Sequence, residues 1–165
     1  MGRFSREELV DAHGHFIDVA AKCAKTREWR EWADLFTEDA EYLEHTYGRF
    51  IGRDQIYDWI QPLMNQWPNS EMNEFPHDWC VLDEERGWWI CQIENRFRDP
   101  GDGSVHQAHN LTVLHYAGNG LFSYEEDAYN PMNFAPMAAA WLRAVKLHDA
   151  KEAVQPKQAV QPKQV

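Results

Sequence analysis

The residues best suited to chemistry lie near the end of the chain. Glu125 and Asp127 stand two apart in Leu121–Tyr129, a run bounded by Gly118-Asn119-Gly120 and Asn130-Pro131 and therefore read as a strand. Strand side chains alternate, so Ser123, Glu125, Asp127 and Tyr129 share one face. Two acids so close repel, and one of them can hold its proton at neutral pH, which would make it an acid partner for a base elsewhere. The pattern also suits an edge strand with solvated carboxylates. Glu44 is a second candidate, on one face of a strand with Ala40 and Tyr42. In an apolar pocket its carboxylate would move protons near neutral pH; on a wet face it is an ordinary strand residue.

Other polar side chains fall at usable spacing. His77 follows Phe75-Pro76, and an imidazole titrates in the right range to act as acid or base. Asn110 and Thr112 share a face of the run His106–Tyr116, whereas His109 points away. Glu94 and Arg96 share a face of Trp88–Arg98, either toward a ligand or as half of a cross-strand salt bridge. Cys23, Cys80 and Cys91 have no C-x-x-C spacing, and no H-x-H or H-x-x-x-H pair sits with suitable carboxylates, so no metal is expected. A Gly-rich phosphate loop and a G-x-S-x-G elbow are also missing, and no cofactor is expected.

These residues need elements to position them. Ser5-Arg6-Glu7-Glu8 is a capping box that opens a helix over 6–24, with Leu9, Phe16, Ile17, Ala20 and Ala24 on one face. Thr26 then caps a second helix carrying Trp29, Trp32, Ala33 and Phe36 and ending at Phe36. Thr37-Glu38-Asp39 turns into a strand from Ala40, and Gly48 and Gly52 bracket a short return strand. A third helix over 53–61 presents Ile56, Trp59 and Ile60 and ends or kinks at Pro62. After a loop over 65–75, strands are predicted at 77–83, 88–98, 106–116 and 121–129, and a last helix from Asn133 to about His148. Residues 1–150 form one α+β domain. Residues 151–165 hold two A-V-Q-P-K-Q copies, too polar and Pro-rich to bury, and read as a disordered or polyproline-like tail.

A chain of 165 residues can hold one core without disulfides. Its 27 acidic and 16 basic residues give a net charge of −11, which disfavours nucleic acid and anionic membranes. No apolar run is long enough to span a bilayer, and the N-terminus lacks an apolar leader core, so a reduced, cytoplasmic setting is expected. Aromatics are 13% of residues, an excess that suits an apolar-ligand pocket as well as a core.

Two helices, a strand, a helix and a meander make an α+β roll. The segment Trp29–Trp59, together with Asn119-Gly120-Leu121-Phe122-Ser123-Tyr124-Glu125-Glu126-Asp127, resembles the SnoaL-like branch of the nuclear transport factor 2-like superfamily. Its members include polyketide cyclases, limonene epoxide hydrolase, ketosteroid isomerase, scytalone dehydratase and dioxygenase small subunits. The resemblance covers residues 5–148 and implies a cystatin-like α+β roll. In that roll a strongly curved antiparallel sheet is wrapped by N-terminal helices around a pocket, with a C-terminal helix added. It places Glu44 where ketosteroid isomerase has its base, but Phe16 and Thr112 at the oxyanion positions, and Phe cannot donate. It places Asp127 on the Asp of a G-x-I-x-x-W-R-D pattern, with Phe122 for the Ile and Glu125-Glu126 for W-R. Glu94 and Arg96 are nearest to an Arg–Asp pair of the epoxide hydrolase, in reversed order, which argues against epoxide hydrolysis. His77 falls at a dehydratase His.

The resemblance thus implies a cofactor-free acid–base enzyme on a steroid-, polyketide- or terpenoid-like molecule. Asp127 would be the acid/base, with His77 or Glu44 as partner. Tyr42, Trp59, Glu94, Arg96, Asn110, Thr112, Glu125 and Tyr129 would touch the ligand. A homodimer is implied as well. The alternative is a non-catalytic binding or accessory protein, since Arg27-Glu28-Trp29-Arg30-Glu31-Trp32 is also similar to dioxygenase small subunits.

Overall fold

The structure, a computed structural model, describes residues 2–154, so the tail from 155 onward lies outside the described residues. Ser5 opens α1 (Arg6–Thr26) by accepting the Glu8 amide at 3.1 Å. The Glu8 carboxylate is engaged elsewhere than a capping box would have it: it takes the Tyr116 hydroxyl at 2.9 Å and ties the helix to the sheet. Leu9, Ala12, Phe16, Val19 and Cys23 recur at helical spacing and form the buried stripe of α1. Arg27 ends it in the left-handed region, its amide on the Cys23 carbonyl at 2.8 Å.

Thr26 is therefore the last residue of α1, not the cap of the next helix, and α2 (Arg30–Ala33) is a single turn. The helix expected to reach Phe36 stops early because Phe36 already belongs to β1 (Phe36–Glu44), paired with Phe122. Trp29, Trp32, Ala33 and Phe36 are all buried as their spacing suggested. Burial spacing over one or two turns does not say where helix gives way to strand.

β2 (Gly48–Ile51) folds back on β1, and α3 (Arg53–Met64) follows, with Pro62 inside its last turn. Gly52 makes this junction possible. Its φ is +84°, its amide donates to the Ala40 carbonyl at 2.7 Å, and an added Cβ would come within 2.6 Å of the Glu38 carbonyl oxygen. The predicted loop over 65–75 contains one 3-10 turn and a short strand, β3 (Met72–Glu74). β4 (His77–Asp83), β5 (Trp88–Phe97), β6 (Gln107–Gly118) and β7 (Leu121–Ala128) follow close to the predicted bounds. α4 (Phe134–Val154) runs past the boundary expected at 150.

The seven strands form one sheet in the order β2-β1-β7-β6-β5-β3, with β4 also on β5. β1 runs parallel to β7; every other pairing is antiparallel. This is an α+β roll, with the N-terminal helices on the inner face of the sheet. Trp141 fastens α4 beside it, donating to the Arg98 carbonyl at 2.8 Å and meeting the Phe97 ring edge-on at 5.6 Å. No helix among the described residues is long and apolar enough to cross a membrane.

Candidate active site

Three adjacent strands bring the acids together. β7 lies between β1 and β6, and its register sets Glu125 beside Tyr42 and Leu114, and Asp127 beside Glu44 and Thr112. Simple alternation would put Ser123 on the face of Glu125 and Phe122 on the other. The register instead shifts: Tyr116 faces Phe122 and His115 faces Tyr124, leaving Ser123 as the extra residue of a bulge. Phe122 and Glu125 consequently both point inward, with Phe122 fully buried. That burial is worth roughly 1.5–3 kcal/mol, enough to hold a local break in pairing.

Asp127 accepts three side-chain hydrogen bonds. Asn110 Nδ2 and Thr112 Oγ1 donate to its Oδ1 at 2.7 and 2.5 Å, and the Tyr42 hydroxyl lies 2.5 Å from its Oδ2. Asn110 is itself fixed by Asn95 at 2.9 Å. Burial pushes the Asp127 carboxyl above its ordinary value, while the Thr112, Tyr42 and Asn110 hydrogen bonds work against that rise. Glu125 has less compensation. Burial, and then the Asp127 charge, push it well above the usual carboxylate range, which favours its protonated form. Its Oε1 lies 3.3 Å from the Tyr42 hydroxyl, and its Oε2 has no protein partner. Glu44, 3% exposed, takes the Thr46 and Tyr47 amides on Oε2 at 2.6 and 2.5 Å and leaves Oε1 unpartnered. Burial, with Glu44 beside it, pushes the Tyr129 hydroxyl upward, so it stays a donor.

These groups line a cavity of about 550 Å³ between the sheet and the helices. Phe16, Trp29, Trp32, Trp59, Phe75 and Phe134 supply much of its wall. The cavity is of a size that takes a small organic molecule. Trp29 and Trp59 each present a buried indole N–H without a protein acceptor.

Of the predicted site residues, Tyr42, Glu44, Trp59, His77, Asn110, Thr112, Glu125, Asp127 and Tyr129 all line this cavity. Glu94 and Arg96 do not. β5 buries Trp89, Cys91, Ile93 and Phe97, which turns the even-numbered residues outward. Arg96 there bonds Glu74 at 3.2 Å and Gln107 at 2.8 Å, and Glu94 accepts from Gln92 at 3.2 Å. The residue reaching inward is Asn95, and the odd-numbered apolar run of β5 is the sequence signal for it. His77 lies at the cavity wall with its imidazole held down to about 4 by burial, hence neutral. Its Nδ1 is 3.4 Å from Cys80 Sγ.

Neither family profiles nor curated sequences match this chain. Solved structures do. A hypothetical protein with a ketosteroid isomerase-like fold from Catenulispora acidiphila, in complex with trimethylamine, superposes with a TM-score of 0.59 at 15% identity, over 75% of this chain and 92% of its own. A nuclear transport factor 2-like protein from Anabaena variabilis gives 0.58 at 11% identity, over 79% and 95%. The pinacolase of Penicillium brevicompactum gives 0.57 at 11% identity, over 90% and 98%. The chain has the nuclear transport factor 2-like, cystatin-like fold. Enzymes are among the proteins that share it, and the fold alone leaves the chemistry to the site.

Proposed function

We propose that this protein is a cofactor-independent acid–base enzyme acting on a small, largely apolar, steroid-, polyketide- or terpenoid-like molecule by isomerisation, dehydration, cyclisation or hydrolysis. The observation that carries this reading is the convergence of Glu44, Glu125 and Asp127 in one aromatic-walled cavity, where Glu125 Oε2 and Glu44 Oε1 lack protein partners.

Asp127 is the base. Its three donors stabilise the anion, and the lone pairs they leave can take a substrate proton. Glu125 is the acid, delivering its proton through Oε2 to oxygen charge that builds on the substrate. Tyr42 lies within 3.3 Å of both carboxyls, so the proton gained by Asp127 can return to Glu125 through its hydroxyl, and the cycle leaves no net proton change. Glu44, Trp59 and Tyr129 orient the substrate, and the neutral His77 borders it from the cavity wall. A homodimer and a cytoplasmic setting accompany this reading.

The test has two stages. A thermal-shift screen with steroid- and polyketide-like compounds should find a ligand that raises the melting temperature. With the substrate so found, Asp127→Asn should lower kcat by about 10²–10⁴-fold, with circular dichroism unchanged. An unchanged rate would remove Asp127 from the chemistry. Ligand binding without any turnover would favour the non-catalytic alternative.

A further inference from the structure

A second cluster of reactive side chains lies beside the cavity, and the proposed chemistry leaves it unused. His13 of α1, His77 and Cys80 of β4, and Cys91 of β5 bring one ligand atom each to within 4.8 Å of one another. His13 Nε2 is 3.5 Å from Cys91 Sγ, and His77 Nδ1 is 3.4 Å from Cys80 Sγ. Cys80 and Cys91 are direct partners across the β4–β5 hairpin, and both are free thiols. The His13 ring is held by stacking on Trp89 at 4.1 Å and meets His77 edge-on at 5.0 Å.

We infer that these four residues bind one borderline-soft divalent cation, of which zinc is the type, in a tetrahedral Cys2His2 site. Zinc takes imidazole nitrogen at about 2.0–2.1 Å and thiolate sulfur at about 2.3 Å, so the N···S edge of its tetrahedron is about 3.5 Å. The two N···S separations already have that length. The remaining pairs lie within 4.8 Å, so closing all four on one ion needs side-chain shifts of about 1 Å. Two thiols release their protons to solvent on binding, and two thiolates and two neutral imidazoles balance the divalent charge. With four protein ligands the site is closed, so it acts as a clamp and not as a centre of reaction.

The clamp would join the middle of α1 to the β4–β5 hairpin. It would also fix His77, which lines the cavity, and so hold that part of the cavity wall in place. Local spacing along the chain carries no metal pattern for this site. The ligands come instead from three elements, and the only local trace is His77-x-x-Cys80.

The full chain, stripped of metal and kept reduced, would be titrated with cobalt(II). The expected result is an intense tetrahedral ligand-field spectrum with a thiolate-to-cobalt charge-transfer band, saturating at one equivalent and bleached by zinc. Cys80→Ser, at an exposed position, should keep the fold and weaken cobalt binding on the order of 100-fold with loss of charge-transfer intensity. His15→Ala, an exposed His on the same helix, should leave the spectrum unchanged. Zinc should raise the melting temperature of the parent chain but not of Cys80→Ser. A reduced chain that shows no tetrahedral spectrum, or the same spectrum in Cys80→Ser, overturns the site. So does a Cys80–Cys91 disulfide whose reduction yields no cobalt binding.

Discussion

At the scale of single residues, Glu125 separates stability from activity. Its carboxyl is buried beside Asp127 and carries a raised pKa. The folded state therefore holds the Glu125 proton more tightly than the unfolded chain does. The sign of the linkage follows: its effect on stability is most favourable below the ordinary carboxylate value and is lost as pH rises through the folded value. Glu125→Gln keeps the shape and removes the titration. Urea melts across pH should show the parent losing stability with rising pH on this account, and the variant losing less. At neutral pH the variant should be equal or more stable by roughly 0.5–2 kcal/mol, since acids gathered for chemistry are destabilising. Its kcat should fall. If the variant were less stable at every pH, Glu125 would be a structural hydrogen-bonding residue and not a stored acid.

At the scale of elements, the junction of β1, β2 and α3 positions the site. β1 supplies Tyr42 and Glu44, and α3 supplies Trp59, which meets the Tyr42 ring at 5.0 Å and stacks on Phe50 at 4.4 Å. Gly52 sets the angle between these elements. Gly52→Ala should cost on the order of 1–3 kcal/mol, because both the positive φ and the approach to the Glu38 carbonyl penalise a Cβ. Chemical denaturation measures this. A loss below a few tenths of a kcal/mol would show that the junction relaxes freely.

At the scale of the whole molecule, the sheet has a helix-covered inner face and an outer face with apolar side chains. Trp79 and Val81 of β4 and Leu111 of β6 are exposed there at 44%, 55% and 39%, on the two strands that flank β5, with Gln92 between Trp79 and Leu111. A second copy covering this face would remove that surface from water, which is the physical case for the homodimer. Sedimentation equilibrium should give twice the 19.4 kDa chain mass, and Val81→Asp should shift it toward the monomer. A parent chain that sediments as a monomer at all concentrations would exclude the dimer.

The sequence by itself determined the periodic parts. The capped first helix, the strands between clear turns, the shared face of Tyr42 and Glu44, and the pairing of Glu125 with Asp127 on one face all follow from local spacing. That spacing survives because each element buries one face. Only the tertiary structure decided what local spacing does not encode. The bulge at Ser123, the early end of α2 at Ala33 and the meeting of His13 with His77, Cys80 and Cys91 all depend on strand register and on helix-to-sheet contact. Register is fixed by burial summed over the whole sheet, and residues far apart in the chain meet only once that sum has been settled.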